Sequence, residues 1–281
     1  MMILGEFLSV LIVVPTGLQR LVYSACGDED AAALMTMYLN FIGIWVAAAI
    51  FILAFRSNRP MLRAWAGSGG RLKGFLLGLL FGFGCNALCV LASWLMGDIK
   101  LEYAGFDLKL LALFLLVVTI QSGAEEITYR LYLYQKLRRR YRNPLVAILG
   151  NAAVFMALHL ANPGFTALAG LQIFIIGVVF SMLIYYYDSL WCAIAFHTAW
   201  NFTQNIIFGL PNSGMVSSYS IFRLDAASAR NGLFYNVGFG VEGSIGACAA
   251  LLIFGAVLYM RNRGRGEKDD VWLETEMRIC A

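Results

Sequence analysis

The sequence predicts an all-α integral membrane protein, a polytopic helical bundle of about eight transmembrane helices with a four-helix core. Apolar residues (AVILMFWYC) make up 60% of its 281 residues and charged residues 14%, whereas a soluble domain has roughly 45–50% apolar and about 25% charged residues. The mean hydropathy is +0.72. The apolar residues also gather into runs of about 20 residues, the length that crosses a hydrocarbon layer of roughly 30 Å as a helix. Neither this composition nor the net charge of +4 indicates a nucleic-acid-binding protein.

Eight segments qualify as spans by this criterion: residues 3–24, 34–55, 72–96, 108–134, 145–161, 167–187, 190–209 and 241–260. The fifth segment is short, and Pro15, Gln19 and Arg20 interrupt the first. No basic residue precedes the first apolar run. The first segment is therefore predicted to be a retained span and not a cleaved signal peptide.

The charged residues predict an orientation in the plasma membrane. Basic residues follow spans two, four and eight: Arg56, Arg59, Arg63, Arg71 and Lys73, then Lys136, Arg138, Arg139, Arg140 and Arg142, then Arg261, Arg263 and Arg265. The first connection instead carries Asp28, Glu29 and Asp30. Because basic loops stay in the cytoplasm, both termini are predicted to be cytoplasmic, and the long connection 210–240 is predicted to be an external loop.

The chain is accordingly divided into four parts: N-terminal transmembrane helices at 1–107, a core at 108–209, the external loop and final helix at 210–263, and a cytoplasmic tail at 264–281. The polar residues of interest within the spans all follow residue 120. This asymmetry argues against a transporter made of two inverted repeats, whose site forms between two similar halves.

A stripe of small residues marks the third span, where Gly74, Gly78 and Gly82 recur every four residues. Such a stripe lets a second helix approach closely. It is predicted to serve packing, and Gly78→Ala is expected to leave the function of the protein measurable.

Ionisable residues occupy the predicted spans, where each costs several kcal/mol unless it is paired or lines a polar cavity. Both histidines of the chain, His159 and His197, lie there, and so do the neighbours Glu125 and Glu126. Glu126 shares a helix face with Arg130, four residues later, and the two can pair. Glu125 points away from that face and needs a proton, a water-filled cavity or a metal.

Amide residues accompany the histidines at the same helical spacing. Asn151 precedes His159 by eight residues, and Asn201 and Asn205 follow His197 at intervals of four. Glu, His and Asn are the side chains that activate a water and stabilise an oxyanion, and Glu125, His159 and His197 are also candidate metal ligands.

Three motifs in order carry a resemblance to a known family: Glu125-Glu126-x-x-x-Arg130, Phe155-x-x-x-His159 and His197-x-x-x-Asn201. Together they resemble the CAAX protease and bacteriocin-processing (CPBP, or Abi) family of intramembrane endopeptidases, which includes CAAX prenyl proteases of the Ras-converting type. The resemblance covers residues of about 108–207 and makes 108–209 the catalytic core. One departure is Leu131, where many members have glycine.

The resemblance implies roles for the motif residues and a site that opens toward the cytoplasm. Glu125 and His159 match the residues that activate the attacking water. His197 and Asn201 match those that stabilise the oxyanion, and Glu126 and Arg130 would orient the site. The family is labelled a metalloprotease, although a metal-free glutamate mechanism has been proposed for its prenyl-protein branch. The cofactor is therefore either none or a divalent metal such as zinc.

The sequence thus predicts a peptide hydrolase that acts on a membrane-associated protein or peptide, lipidated or not, among membrane lipids. Two other functions stay open. A non-catalytic scaffold or immunity factor would bind a partner membrane protein and use the polar cluster for structure. A proton-coupled carrier would use the Glu and His groups as a relay.

Overall fold

The computed structural model describes residues 2–66 and 70–263 of the chain. The predicted tail 264–281 lies outside the described residues. The helices are α1 Met2–Val13, α2 Leu18–Cys26, α3 Glu29–Leu39, α4 Ile42–Ala54, α5 Leu62–Ala66, α6 Arg71–Leu95, α7 Leu108–Glu126, α8 Tyr134–Arg140, α9 Pro144–Ala157, α10 Ala167–Tyr187, α11 Leu190–Phe202 and α12 Ile245–Asn262. Two short strands, β1 Leu101–Tyr103 and β2 Phe222–Leu224, pair antiparallel. The predicted all-α helical bundle is confirmed.

Five continuous helical stretches in the described part of the chain are long and apolar enough to cross a membrane. They are Glu29–Ala54, Arg71–Leu95, Leu108–Arg140, Ala167–Tyr187 and Ile245–Asn262. The pair α1–α2 makes a sixth span if it is counted as one, although it bends by 72°. The bend falls at the predicted interruption, since Pro15 lies there and Gly17 adopts a left-handed φ of 70°.

The remaining two predicted spans are shorter helices. α9 has 14 residues, which is less than a bilayer crossing needs. α11 has 13 residues and continues as a π-helical turn over Thr203–Ile207. The predicted count of eight crossings therefore stays a prediction.

Capping side chains fix where the helices of the core begin. Five N-cap side chains each accept a hydrogen bond from a backbone N–H in the first turn of the following helix. They belong to Asp107, Asn143, Thr166, Ser189 and Ser244. These N–H groups have no partner within the helix, and an N-cap side chain typically contributes about 1 kcal/mol of helix stability. The sequence therefore sets locally where α7, α9, α10, α11 and α12 begin.

One end of the bundle gathers the basic connections. Arg63 pairs with Asp188 at 3.6 Å, which joins the connection after α4 to the turn between α10 and α11. Lys136 donates to Asn58, which brings the end of α8 to the same place. This region is called the basic end below. The Lys and Arg residues of its connections are Arg56, Arg59, Arg63, Arg71, Lys73, Lys136, Arg138, Arg139, Arg140, Arg142, Arg261 and Arg263.

The opposite end is covered by the long connection between α11 and α12, residues 208–244, called the outer loop below. Its strand β2 pairs with β1, and Arg230 pairs with Asp98 at 3.2 Å. Gly214 lies against the carbonyl of Pro163, and Gly164 lies against that of Gly238. The outer loop therefore packs directly on the turn between α9 and α10.

The glycine stripe of α6 packs against α11, as the sequence predicts. A Cβ added at Gly78 would lie 2.3 Å from the carbonyl oxygen of Cys192, and one at Gly82 would lie 2.2 Å from that of Phe196. Both contacts are with the backbone of the helix that carries His197. Gly78→Ala is consequently a poor choice of neutral variant, because it would push α11 away from α6.

Gly78→Ala is expected to destabilise the protein by about 1–3 kcal/mol, the usual cost of overpacking a tight contact. Thermal unfolding of the full-length protein in detergent measures the loss. The matched control is Gly84→Ala in the same helix, where an added Cβ meets nothing within 4 Å. Equal unfolding temperatures for the two variants would contradict the close α6–α11 contact.

Candidate active site

A buried carboxylate lies at the centre of the polar cluster. Glu126 Oε1 accepts a hydrogen bond from Arg130 Nη1 at 3.0 Å and another from His197 Nδ1 at 2.9 Å. The side chains of Glu126 and Arg130 are both fully buried, and that of His197 is 8% exposed. The predicted Glu126–Arg130 pair is thus present, and it also holds the histidine of a different helix.

Arg130 is held by aromatic rings as well as by charge. Its guanidinium lies 4.3 Å from the ring centroid of Phe155 and 5.0 Å from that of Phe180. Such cation–π contacts are worth about 2 kcal/mol when desolvated. The residue stands in a π-helical turn over Ile127–Leu133, a local widening of the helix that is frequent at functional sites.

Glu125 faces away from this pair, as the helical spacing predicts. Its Oε1 accepts a hydrogen bond from Gln121 Nε2 at 2.7 Å. Its Oε2 lies 3.7 Å from His197 Nε2, and its side chain is 15% exposed. Glu126 and Glu125 therefore approach the two nitrogens of one imidazole, and of the two carboxylates only Glu125 is partly exposed.

The imidazole of His197 is fixed between these carboxylates. Since Glu126 accepts at Nδ1, that nitrogen carries the proton, and Nε2 carries one only in the imidazolium form. Phe180 stacks on the ring at a centroid distance of 5.2 Å. The carboxylate at Nδ1 sets the ring's orientation, an arrangement known from histidines that catalyse or bind metals.

His159 lies just beyond the end of α9, in the turn that faces the outer loop. Its Nδ1 is 2.8 Å from the carbonyl of Phe155, which can only accept, so Nδ1 carries the proton of the neutral ring. Nε2 then keeps its lone pair and can act as a base. The ring packs at 4.7 Å from that of Phe155 and is half-buried.

Asn201 completes the predicted set one turn after His197. Its Nδ2 is 3.4 Å from Ser122 Oγ, and its Oδ1 accepts from Asn212 Nδ2 at 3.2 Å. The other amides named from sequence serve structure: Asn151 donates to Ser181, and Asn205 donates to backbone carbonyls of the outer loop.

Glu242 is a buried acidic residue that sequence reasoning missed. Its Oε1 accepts from Trp200 Nε1 and from Asn212 Nδ2, each at 3.1 Å, and its Oε2 accepts from the backbone N–H of Ser213 at 2.7 Å. Burial raises the pKa of the Glu242 carboxyl, and the hydrogen bonds from Ser213 and Trp200 act against that rise. Glu242 thus fastens the outer loop to the helix of the site, and through Asn212 it reaches Asn201. A sequence signal was present, since Glu242 is an acidic residue at the start of the last predicted span, 241–260.

The arrangement does not fit a metal site with three protein ligands. Across residues 2–66 and 70–263, no group of three His, Cys, Asp or Glu side chains is placed to hold an ion. Of the candidates Glu125, His159 and His197, the two histidines bond through Nδ1 to groups within the protein, which leaves Nε2 as the nitrogen of each that could face an ion.

A cavity of about 480 Å³ in the outer loop lies apart from this cluster. It is lined by loop residues that include Ser218, Ser220 and Arg223. None of its lining residues is a predicted site residue, so the cavity is separate from the candidate active site.

Glu242→Gln is expected to loosen the outer loop, because the new NH₂ group would face the N–H of Ser213 with no acceptor between them. Hydrogen exchange at the amides of residues 210–216 should accelerate by about tenfold or more, in line with the loss of a hydrogen bond to a charged group. Glu102→Gln on exposed β1 provides the same substitution away from this contact. Unchanged exchange in the Glu242 variant would show that the carboxylate does not hold the loop.

The comparison with known proteins agrees with the motif pattern. Residues 107–203 match the family model "Type II CAAX prenyl endopeptidase Rce1-like", and this segment contains all six predicted site residues. No curated protein and no solved structure matches the chain. The matched segment begins at the cap of α7 and ends just after Asn201. Residues 107–203, about a third of the chain, are therefore similar to the CAAX prenyl endopeptidases that this family model describes.

Proposed function

We propose that this protein is an intramembrane endopeptidase that hydrolyses a peptide bond of a membrane-associated protein or peptide by means of a water activated by Glu125. The observation that carries the proposal is the unequal environment of two adjacent carboxylates. Glu126 is buried and shared by Arg130 and His197, whereas Glu125 is partly exposed. Packing accounts for the first carboxylate but gives no reason for the second.

In the proposed reaction, Glu125 and His159 remove a proton from a water whose oxygen attacks the scissile carbonyl carbon. The carbonyl oxygen becomes an oxyanion, to which His197 Nε2–H and Asn201 Nδ2 donate. Collapse of this intermediate breaks the C–N bond, and the proton returns to the leaving amine. The products are a carboxylate and an amine, so atoms and charge balance without a cofactor.

Glu126 and Arg130 orient the site in this proposal. Glu126 holds Nδ1–H of His197 and thereby fixes where Nε2 points. Donation from Nε2 uses the imidazolium form of the ring, because Nδ1 already carries a proton. Removing one member of a buried ion pair typically costs about 3–5 kcal/mol. Changes at Arg130 are therefore expected to lower both stability and activity.

The orientation follows from the basic end. Twelve Lys and Arg residues of the described connections lie there, and the positive-inside rule assigns that end to the cytoplasm. Both termini are then cytoplasmic in a plasma-membrane protein. A lipid chain on the substrate would partition into the bilayer beside the site, but a lipid is not needed for the chemistry.

Glu125→Gln and His159→Ala should each lower turnover by about 10²–10⁴-fold, the usual contribution of a general base. The assay uses purified full-length protein in liposomes and quenched fluorogenic peptides that include farnesylated CAAX peptides and unmodified ones. Glu102→Gln is the matched control and should cleave like the parent.

Turnover by Glu125→Gln at the parent's rate would contradict the assigned mechanism. If the parent cleaves none of these peptides and Glu125→Gln retains full biological activity in cells, the protein is instead a non-catalytic scaffold or immunity factor that binds a partner membrane protein. Substrate flux across sealed vesicles would indicate a carrier.

A further inference from the structure

Two expectations from the sequence conflict once the fold is known. The basic connections are expected in the cytoplasm, and the resemblance implies a site that opens toward the cytoplasm. In the structure the accessible part of the site lies away from the basic end, so the two expectations cannot both hold.

The position of His159 shows which way the site faces. α9 starts at the basic end, and fifteen residues separate Pro144 from His159, or about 22 Å along a helix. His159 therefore lies in the turn at the far end of α9, where Pro163 and Gly164 contact the outer loop. Asn201 reaches the same loop through Asn212.

The route from the basic end is closed by packed side chains. Arg130 is one turn nearer to that end than Glu126 and is fully buried between Phe155 and Phe180. Beyond this layer, Tyr134 is also buried, and Asn151 and Ser181 are buried and bonded to each other.

Exposure rises in the other direction. Glu125 is 15% exposed at its side chain, His159 and Asn201 are half-buried, and Ala161 in the turn after His159 is exposed. The exposed surface of the site thus lies on the side of the outer loop and not on the side of the Arg130 layer.

The charges of the two ends favour one insertion. The basic end holds twelve Lys and Arg residues against Asp188. The other end carries five basic residues and seven acidic ones outside the buried Glu242: Arg20, Lys100, Lys109, Arg223 and Arg230, with Asp28, Glu29, Asp30, Asp98, Glu102, Asp107 and Asp225. An excess of this size, within short connections, determines the orientation of a membrane protein.

We infer that the active site opens toward the external face of the membrane and that its substrate is a peptide segment presented on that face, such as the end of an exported or membrane-spanning protein. That a peptide substrate binds there rests on the proposed function. The side on which the site opens is independent of catalysis. Protein C-termini held at the cytoplasmic leaflet would meet the closed Arg130 layer.

Cysteine labelling tests the direction of opening. Ser218→Cys in the outer loop, Ala161→Cys beside His159 and Ser57→Cys at the basic end all place a thiol at an exposed position, in a full-length chain whose Cys26 and Cys280 are replaced by serine. A membrane-impermeant maleimide applied to intact cells should label the first two and should label Ser57→Cys only after detergent is added.

Labelling of Ser57→Cys in intact cells, with Ser218→Cys and Ala161→Cys labelled only after detergent, overturns the inference. Labelling of Ala161→Cys only under the conditions that label Ser57→Cys also overturns it, as does no labelling of Ala161→Cys at all. Equal labelling of all three in intact cells overturns the fixed orientation. In right-side-out vesicles, an impermeant peptide that the protein cleaves in detergent should also be cleaved when added outside, and at least tenfold less in inside-out vesicles. If labelling fits and no peptide is cleaved in detergent, the proposed function fails and the orientation stands.

Discussion

The structure of the site depends on one oxygen, Oε1 of Glu126, which accepts from Arg130 and from His197. A charged group without a partner is too costly within a bilayer, so the carboxylate and the guanidinium must be buried together. Their pairing ties α7 to its own π-helical turn, and the bond to His197 ties both to α11. Glu125 of α7 and His197 and Asn201 of α11 are thereby held on two connected helices. The oxygen that connects them, Glu126 Oε1, takes no part in the proposed chemistry.

Close packing of helices supports this contact. The backbone of α11 lies against Gly78 and Gly82 of α6, and the rings of Phe155 and Phe180 enclose Arg130. The outer loop adds a second support through Glu242, which bonds Trp200 of α11 and Asn212 beside Asn201. The site is therefore braced from one side by glycine-mediated packing and from the other by a buried carboxylate in a loop.

Much of this could be predicted from the sequence, because helical periodicity is a local property. Glu125 diverges from Glu126 because neighbouring residues on a helix point about 100° apart. The Glu126–Arg130 pair and the glycine stripe follow from residues four positions apart. The contact of Glu126 with His197 could not be derived this way, since 71 residues separate them. Glu242 was missed for the same reason, and because a lone acid at the start of an apolar run has the pattern of an ordinary helix boundary. The predicted spans 145–161 and 190–209 extend past the last residues of α9 and α11. The apolar sequence continues where His159 leaves its helix and where α11 becomes a π-helical turn.

The central claim is that two adjacent glutamates have separate tasks, one structural and one chemical. The most direct measurement compares Glu125→Gln with Glu126→Gln in the full-length protein, with the unfolding temperature and peptide turnover determined on the same samples. The account predicts that Glu125→Gln unfolds like the parent and loses turnover, whereas Glu126→Gln unfolds at a clearly lower temperature. A stable Glu126→Gln protein beside a destabilised, active Glu125→Gln protein would contradict it.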